Sequence, residues 1–117
     1  MRLNEIVFTD AKPVDGYGPG FFRIGGQVLQ GAVIAGPQGT QTWAGLEDAE
    51  TLLGLAGKVD VIFLGTGAEV AHLPDDLRTA IDEAGLGVET MSSPAACRTY
   101  NVLLSEGRRI ALAVLPV

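Results

Sequence analysis

Short β-prone runs separated by glycines dominate the first third of the chain. Residues 21–24 and 27–35 flank Gly25 and Gly26, and a glycine pair between two such runs supplies the positive φ angles of a tight turn. The pattern predicts an antiparallel hairpin whose second strand ends at residues 36–39, followed by a short edge piece at residues 41–44. Residues 10–20 hold two prolines and three glycines and are expected to form a loop.

A helical period begins at residue 46. Apolar residues recur on one face of residues 46–57, with acidic residues outside, and the pattern predicts a helix that ends at Gly57. A second helix is predicted from Pro74, which suits the first helical position, to Gly85, which suits the stop. After Ser92 and Ser93, an N-cap serine followed by Pro94 at the first helical position predicts a third helix that ends at about Ser105.

Three further runs read as strands: residues 59–64, residues 87–91 and residues 110–115. The predicted order is strand, strand, helix, strand, helix, strand, helix, strand. This order is typical of a layered α/β domain that starts with an antiparallel hairpin, in which three helices cover one sheet. The length of 117 residues suits a single domain over residues 1–117.

Composition and charge exclude several classes of protein. Hydrophobic residues make up 47% of the chain, enough to form a core, and the net charge is −6, which disfavours nucleic acid and anionic membrane surfaces as partners. No apolar run approaches the roughly 20 residues of a membrane-spanning helix. Residues 1–10 lack the pattern of a signal peptide, so we expect a soluble, cytoplasmic protein without membrane insertion.

The loop at Gly65, Thr66 and Gly67 lies between a predicted strand and a predicted helix, where backbone N–H groups can bind an anion. It lacks the third glycine of a dinucleotide fingerprint and the lysine of a phosphate-binding loop. Glycines that only turn the chain are the simpler interpretation.

The chain has individual residues that could take part in catalysis, but they do not form a recognisable catalytic set. His72 is the only histidine and Cys97 the only cysteine, which excludes an internal disulfide and any metal site built from several histidines or cysteines. His72 is interpreted as an ordinary hydrogen-bonding residue at a helix entry, and Cys97 as a small core residue. We therefore predict no catalytic residues, no metal and no cofactor.

Arg98, Thr99, Tyr100 and Asn101 form a polar cluster in an otherwise apolar helix. Such side chains either bind a carboxylate or phosphate, or anchor neighbouring loops by hydrogen bonds. Residues 106–109 are interpreted as a solvated connection. Trp43 and the aromatic residues Tyr17, Phe21 and Phe22 belong either to the core or to a partner surface.

The succession of residues 63–67, Pro74, residues 87–93 and residues 95–103 resembles a small family of domains. That family includes the mitochondrial NADH:ubiquinone oxidoreductase (complex I) assembly factor 3 and the adipogenesis-associated domain protein, and its bacterial members are mostly catalogued as a domain of unknown function. The resemblance spans nearly the whole chain, is most specific at residues 98–101, and departs mildly at residues 92–94. It implies a three-layer fold with a central mixed β-sheet, and for the mitochondrial relatives a role in building complex I.

Two functional hypotheses follow. The first is a non-catalytic binding or assembly factor whose protein partners are respiratory complex subunits or assembly proteins. The second is a small-molecule site for an anionic ligand, binding or enzymatic, where two strands end. The candidate ligand- or partner-binding residues are Gly65, Thr66, Gly67, Ser92, Ser93, Arg98, Tyr100 and Asn101. The sequence leaves the oligomeric state open.

Overall fold

The computed structural model describes residues 11–117, so the signal-peptide argument drawn from residues 1–10 lies outside the described residues. The helices and strands of that range are β1 Val14–Gly18, β2 Phe21–Ile24, β3 Gln27–Gln30, β4 Val33–Gly36, β5 Gly39–Thr42, α1 Ala49–Leu53, β6 Val61–Gly65, α2 Asp75–Glu83, β7 Gly87–Met91, α3 Ser93–Ser105 and β8 Ile110–Val114.

The central sheet has five strands in the order β5-β4-β8-β6-β7. β4 pairs antiparallel with β5 and β8, whereas β6 pairs parallel with β7 and β8, so the sheet is mixed as expected. All five residues of β8 are buried. Its apolar sequence fits a central strand that is covered on both faces.

Two apolar cores lie on opposite faces of the central sheet. The α3-side core joins α3 and the inner face of a small second sheet to alternate residues of the central strands, such as Phe63 and Leu112. The α2-side core joins α1 and α2 to the intervening residues, such as Ile62 and Ala111. The result is the three-layer α/β arrangement that the family resemblance implied.

The second sheet corrects the expectation of a single sheet. It has three antiparallel strands in the order β1-β2-β3, of which β2 and β3 are the predicted hairpin. β1 lies within residues 10–20, which were expected to be a loop, because Val14 is buried and the glycines at positions 16 and 18 fit the strand beside a bulge. Residue 10 itself lies outside the described part.

The predicted strand at residues 27–35 is in fact two strands, β3 and β4. Gly31 between them has a φ of 83°, a left-handed conformation that suits glycine and lets the chain leave the small sheet for the central one. The edge piece expected at residues 41–44 is β5, which starts earlier, at Gly39.

The predicted helix at residues 46–57 is short, with only Ala49–Leu53 helical. The Asp48 carboxylate accepts hydrogen bonds from the Oγ1 and the N–H of Thr51, so Asp48 caps the helix and the helix begins at Ala49 rather than at residue 46. The same hydrogen bonds lower the pKa of Asp48. Gly54 then ends the helix. Within residues 11–117, no helix combines the length and the hydropathy that crossing a membrane requires.

Candidate functional site

The loops at residues 65–67 and 92–93 meet, because β6 and β7 are adjacent parallel strands and end at the same edge of the sheet. The Gly67 N–H donates to the Ser93 Oγ at 2.9 Å, and the Ser93 N–H donates to the Gly67 carbonyl at 2.7 Å. The Ser93 Oγ in turn donates to the Leu115 carbonyl at 2.6 Å. Ser93 therefore joins the ends of β6, α3 and β8.

Few hydrogen-bonding groups of these two loops remain free to bind a ligand. Ser93 is fully buried and its hydroxyl both donates and accepts. A Cβ on Gly65 would lie 2.5 Å from the Ser93 Cα, so the glycine permits the close approach of α3 to β6. The Thr66 Oγ1 donates to the Glu69 carbonyl and accepts from the Ala71 N–H, both at 2.8 Å. The predicted loops are brought together, and their polar groups bind one another.

Ser92 is the helix cap, one residue earlier than a cap serine directly before a proline at the first helical position had predicted. Its side chain accepts a hydrogen bond from the Ala95 N–H at 3.3 Å, and Pro94 occupies the first turn of α3. The cap fixes where α3 starts and therefore where Ser93 is held.

Tyr100 and Asn101 anchor the segment that leads into β1. The Asn101 carboxamide accepts from the Val14 N–H at 2.8 Å and donates to the Val14 carbonyl at 2.9 Å. The Tyr100 hydroxyl donates to the Lys12 carbonyl at 2.8 Å. Tyr100 is fully buried, and this burial raises the pKa of its phenol to about 12. The polar cluster was expected either to bind an anion or to anchor neighbouring loops, and the contacts of Tyr100 and Asn101 are of the anchoring kind.

Arg98 lies apart from the loop contact. It is exposed and lines a shallow concavity of about 290 Å³ together with Thr99, Val102 and Leu103. None of residues 65–67 or 92–93 lines that concavity. The eight candidate residues thus fall into three groups: the loop contact, the anchor of β1 and the exposed Arg98.

His72 and Cys97 do not converge. His72 is exposed beside Thr90 in a concavity of about 130 Å³. Cys97 is 3% exposed in the α3-side core, where burial raises the pKa of its thiol to about 11 and the Arg98 charge only partly opposes the rise. The part of the chain that the structure describes has no group of three or more histidine, cysteine or carboxylate side chains that could hold a metal ion.

The aromatic residues divide between the core and the surface. Phe22 and Trp43 are core residues, and the Trp43 Nε1 donates to the Asp48 carbonyl at 3.0 Å. Tyr17 is 44% exposed and its ring lies 6.4 Å from that of Phe22. The connection at residues 106–109 is exposed as expected, and Arg109 donates to the Gly57 carbonyl at 3.1 Å.

The outer edge of β7 has no role that the sequence pattern predicts, because such a pattern does not reveal whether both edges of a strand are paired. Two concavities border this edge. One, of about 490 Å³, lies between α2 and the start of β7, and the other is the concavity beside His72 and Thr90. The outward position of β7 follows only from the order of strands in the sheet.

Comparison with known proteins extends these observations. The model of the family described as "Protein of unknown function (DUF498/DUF598)" matches residues 14–115, which include all eight candidate residues and β7. The chain belongs to this family. A DUF498/DUF598 match of this extent covers the two sheets and the three helices found in residues 11–117.

Relatives of this DUF498/DUF598 chain carry different descriptions. A Rhodobacter capsulatus protein described as uncharacterized is 47% identical and covers 100% of this chain and 94% of its own length. The NADH dehydrogenase (ubiquinone) 1 alpha subcomplex assembly factor 3 of Danio rerio is 31% identical over 86% of this chain, and the chain spans 62% of that protein's length. The crystal structure of a protein described as an outer membrane protein of Bartonella henselae has a TM-score of 0.84 and 35% identity, and covers 94% of this chain and 98% of that one.

Proposed function

We propose that this protein is a non-catalytic binding protein that assists the assembly of a larger protein complex, with respiratory complex I as its target. The observation that carries the proposal is the match to a complex I assembly factor over 86% of the chain at 31% identity. The proposal includes a cytoplasmic location and, as partners, subunits or other assembly proteins of that complex.

The internal contacts of the polar residues support binding rather than catalysis. A catalytic group must reach a substrate with its donor or acceptor, and the Ser93 hydroxyl and the Asn101 carboxamide already bind the protein's own backbone. The one histidine and the one cysteine lie in different parts of the fold, without the mutual hydrogen bond that activates a nucleophile. A role through surface contacts is consistent with both observations.

Deletion of the gene and affinity capture with the tagged chain test the proposal. We expect that deleting the gene lowers the amount of assembled complex I, measured as NADH:quinone activity and as the native complex on a gel, and that the tagged chain restores it. We also expect the tagged chain to co-purify complex I subunits or assembly proteins from the cytoplasmic fraction, with an unrelated tagged acidic domain as control. An unchanged amount of complex, together with no such protein captured, would reject the assembly role.

The second candidate is a site for an anionic small molecule at the concavity that Arg98 lines, because residues 65–67 and 92–93, which were expected to share this site, do not reach that concavity. The exposed guanidinium of Arg98 at a concavity favours it, whereas the bond between the Gly67 N–H and Ser93 removes one donor. A ligand that binds the folded state raises its stability, by about 2.7 kcal/mol at 100 times its Kd. A thermal-shift screen with phosphate, citrate and nucleotides would support the site if one anion stabilises the wild type and not Arg98→Ala.

A further inference from the structure

The outer edge of β7 presents backbone groups that no other described strand pairs. β7 is the last strand of the central sheet on its side and pairs only with β6. The Gly87 N–H donates to the Asp60 carbonyl and the Met91 carbonyl accepts from the Thr66 N–H, so the backbone groups of both residues face the β6 side. Because backbone groups of successive strand residues point to alternate sides, Val88 and Thr90 direct theirs outward.

The outer edge of β1, in contrast, is covered by a side chain. There the Asn101 carboxamide satisfies both backbone groups of Val14, in the place of a neighbouring strand. Across residues 11–117, no side chain makes equivalent contacts with Val88 or Thr90. An unpaired edge of this kind is a template for another strand.

Two concavities lie along β7, each lined by one of two alternate residues of the strand. The larger one reaches Val88 and the smaller one reaches Thr90, two residues further along. The Val88 side chain packs against the α2-side core, and Thr90 points to the same face because strand side chains alternate. In strand addition, main-chain bonds provide affinity and pockets for alternate side chains provide specificity.

The charge around the edge selects the partner. Asp82 and Glu83 line the larger concavity with Arg78 as its one cation, and the exposed Glu89 lies on the opposite face of β7. A second copy of this chain would bring the same carboxylates against themselves, since two such edges pair by a two-fold axis. A segment with basic side chains beside Glu89 instead meets a charge of opposite sign on that face of β7.

We propose that the β7 edge binds an extended, basic segment of a partner protein, which adds to the central sheet as a sixth strand. The segment carries Lys or Arg on the face beside Glu89 and small apolar residues on the face that enters the two concavities. This inference deepens the proposed assembly function and rests on it.

A synthetic peptide of four alternating Lys-Val pairs with blocked ends is the probe, and its binding to the full chain is measured by fluorescence anisotropy. We expect a peptide with Glu in place of Lys to bind at least about tenfold more weakly. We expect Val88→Pro to weaken binding by about tenfold, because proline removes an outward N–H and leaves the bonds to β6 in place. Equal affinity of wild type and a folded Val88→Pro would overturn the proposal.

A matched pair of charge variants keeps the test valid if Val88→Pro fails to fold. Glu89→Lys and Glu106→Lys change the net charge equally, but only Glu89 lies on β7. We expect Glu89→Lys to weaken binding of the Lys-Val peptide about fivefold and Glu106→Lys to change it less than twofold. An equal effect of the two would mean that only the overall charge attracts the peptide, and the proposed site would be wrong.

Hydrogen exchange shows whether the β7 edge is free in the unbound chain. We expect the amides of Val88 and Thr90 to exchange rapidly in the unbound chain and to slow when the peptide binds. Slow exchange in the unbound chain would reject the proposal, and the molar mass in solution would then distinguish a second copy from coverage by the chain's own residues 1–10.

Affinity capture of complex I proteins with the wild type and with Val88→Pro distinguishes this inference from the assembly role. If the wild type recovers complex I proteins and folded Val88→Pro recovers them equally well, the edge proposal fails while the assembly role stands. If the wild type recovers none and the gene deletion leaves complex I unchanged, the assembly role fails, and binding of the Lys-Val peptide then decides the edge alone.

Discussion

The carboxamide of Asn101 contacts Val14 in the way that a neighbouring strand would, with one accepted and one donated hydrogen bond. A single side chain thereby satisfies two backbone groups of β1 that lie 87 residues away in sequence. The Tyr100 hydroxyl adds a bond to the Lys12 carbonyl next to it. Two adjacent residues of α3 thus tie the small sheet to the helix.

Asn101→Ala is expected to lower the free energy of unfolding by about 1–3 kcal/mol, because two partly buried backbone groups lose their partner. Arg98→Ala, on the same helix but exposed, is expected to change it by less than about 0.5 kcal/mol. Urea denaturation of both variants measures the difference. Equal stability of the two would show that water replaces the carboxamide without cost.

The buried thiol of Cys97 and phenol of Tyr100 predict a loss of stability in alkali. Burial raises the pKa of Cys97 from 9.0 to about 11 and the pKa of Tyr100 from 10.0 to about 12. Because both groups hold their protons more tightly when folded, their stabilising effect is complete below pH 9 and is lost as the pH rises through the folded-state values.

We therefore expect the free energy of unfolding of the wild type to fall between pH 9 and 11, with Cys97→Ala losing less over that interval. We also expect the thiol to react slowly with a thiol reagent at pH 8 until the protein unfolds. Equal pH profiles for wild type and Cys97→Ala, or rapid labelling of the native protein, would contradict the burial of a protonated thiol.

At the scale of the elements, α3 approaches β6 closely because Gly65 has no side chain. An added Cβ would lie 2.5 Å from the Ser93 Cα and 2.9 Å from the Val114 Cγ1. Since Ser93 also bonds Gly67 and Leu115, the start of α3 cannot shift without breaking these contacts.

Gly65→Ala is expected to destabilise the protein by about 2 kcal/mol or more through overpacking, measured by urea denaturation. Gly16→Ala is a matched control on β1, because nothing lies within 4 Å of its added Cβ and its φ is not left-handed. We expect that variant to retain wild-type stability or to gain up to about 1 kcal/mol. If Gly65→Ala were as stable as Gly16→Ala, the close contact would not constrain the fold.

The sequence predicts best those elements whose boundaries are encoded locally. The serine pair before Pro94 and the glycine stops place α2 and α3 near their observed ends, to within one residue at the α3 cap, and the apolar runs place β6, β7 and β8. β1 and the break at Gly31 are missed because they depend on pairing with distant strands. The buried role of Ser93 is missed for the same reason, since its partner Leu115 lies 22 residues away.

At the scale of the whole molecule, the two cores share the strands of the central sheet. β6 contributes Ile62 to one core and Phe63 to the other, and β8 contributes Ala111 and Leu112 in the same way. Removing either helical layer therefore exposes apolar side chains of the same two strands. This arrangement couples the stability of the two faces.

The described residues are therefore expected to unfold as one cooperative unit, which would also support the single domain expected from the length. Trp43 fluorescence reports the α2-side core, and the reaction of the buried Cys97 thiol with a thiol reagent reports the other core. We expect equal midpoints in urea, whereas separate midpoints would indicate two independently unfolding parts.

The central position of β8 has a consequence for biosynthesis. β8 is the latest strand of the sheet along the chain, yet it lies between β4 and β6. While residues 110–114 are still inside the ribosomal tunnel, those two strands lack the partner that joins them. The five-stranded sheet can therefore close only after nearly all of this sequence has been translated, and a nascent chain stalled before Gly107 would remain a target for chaperones.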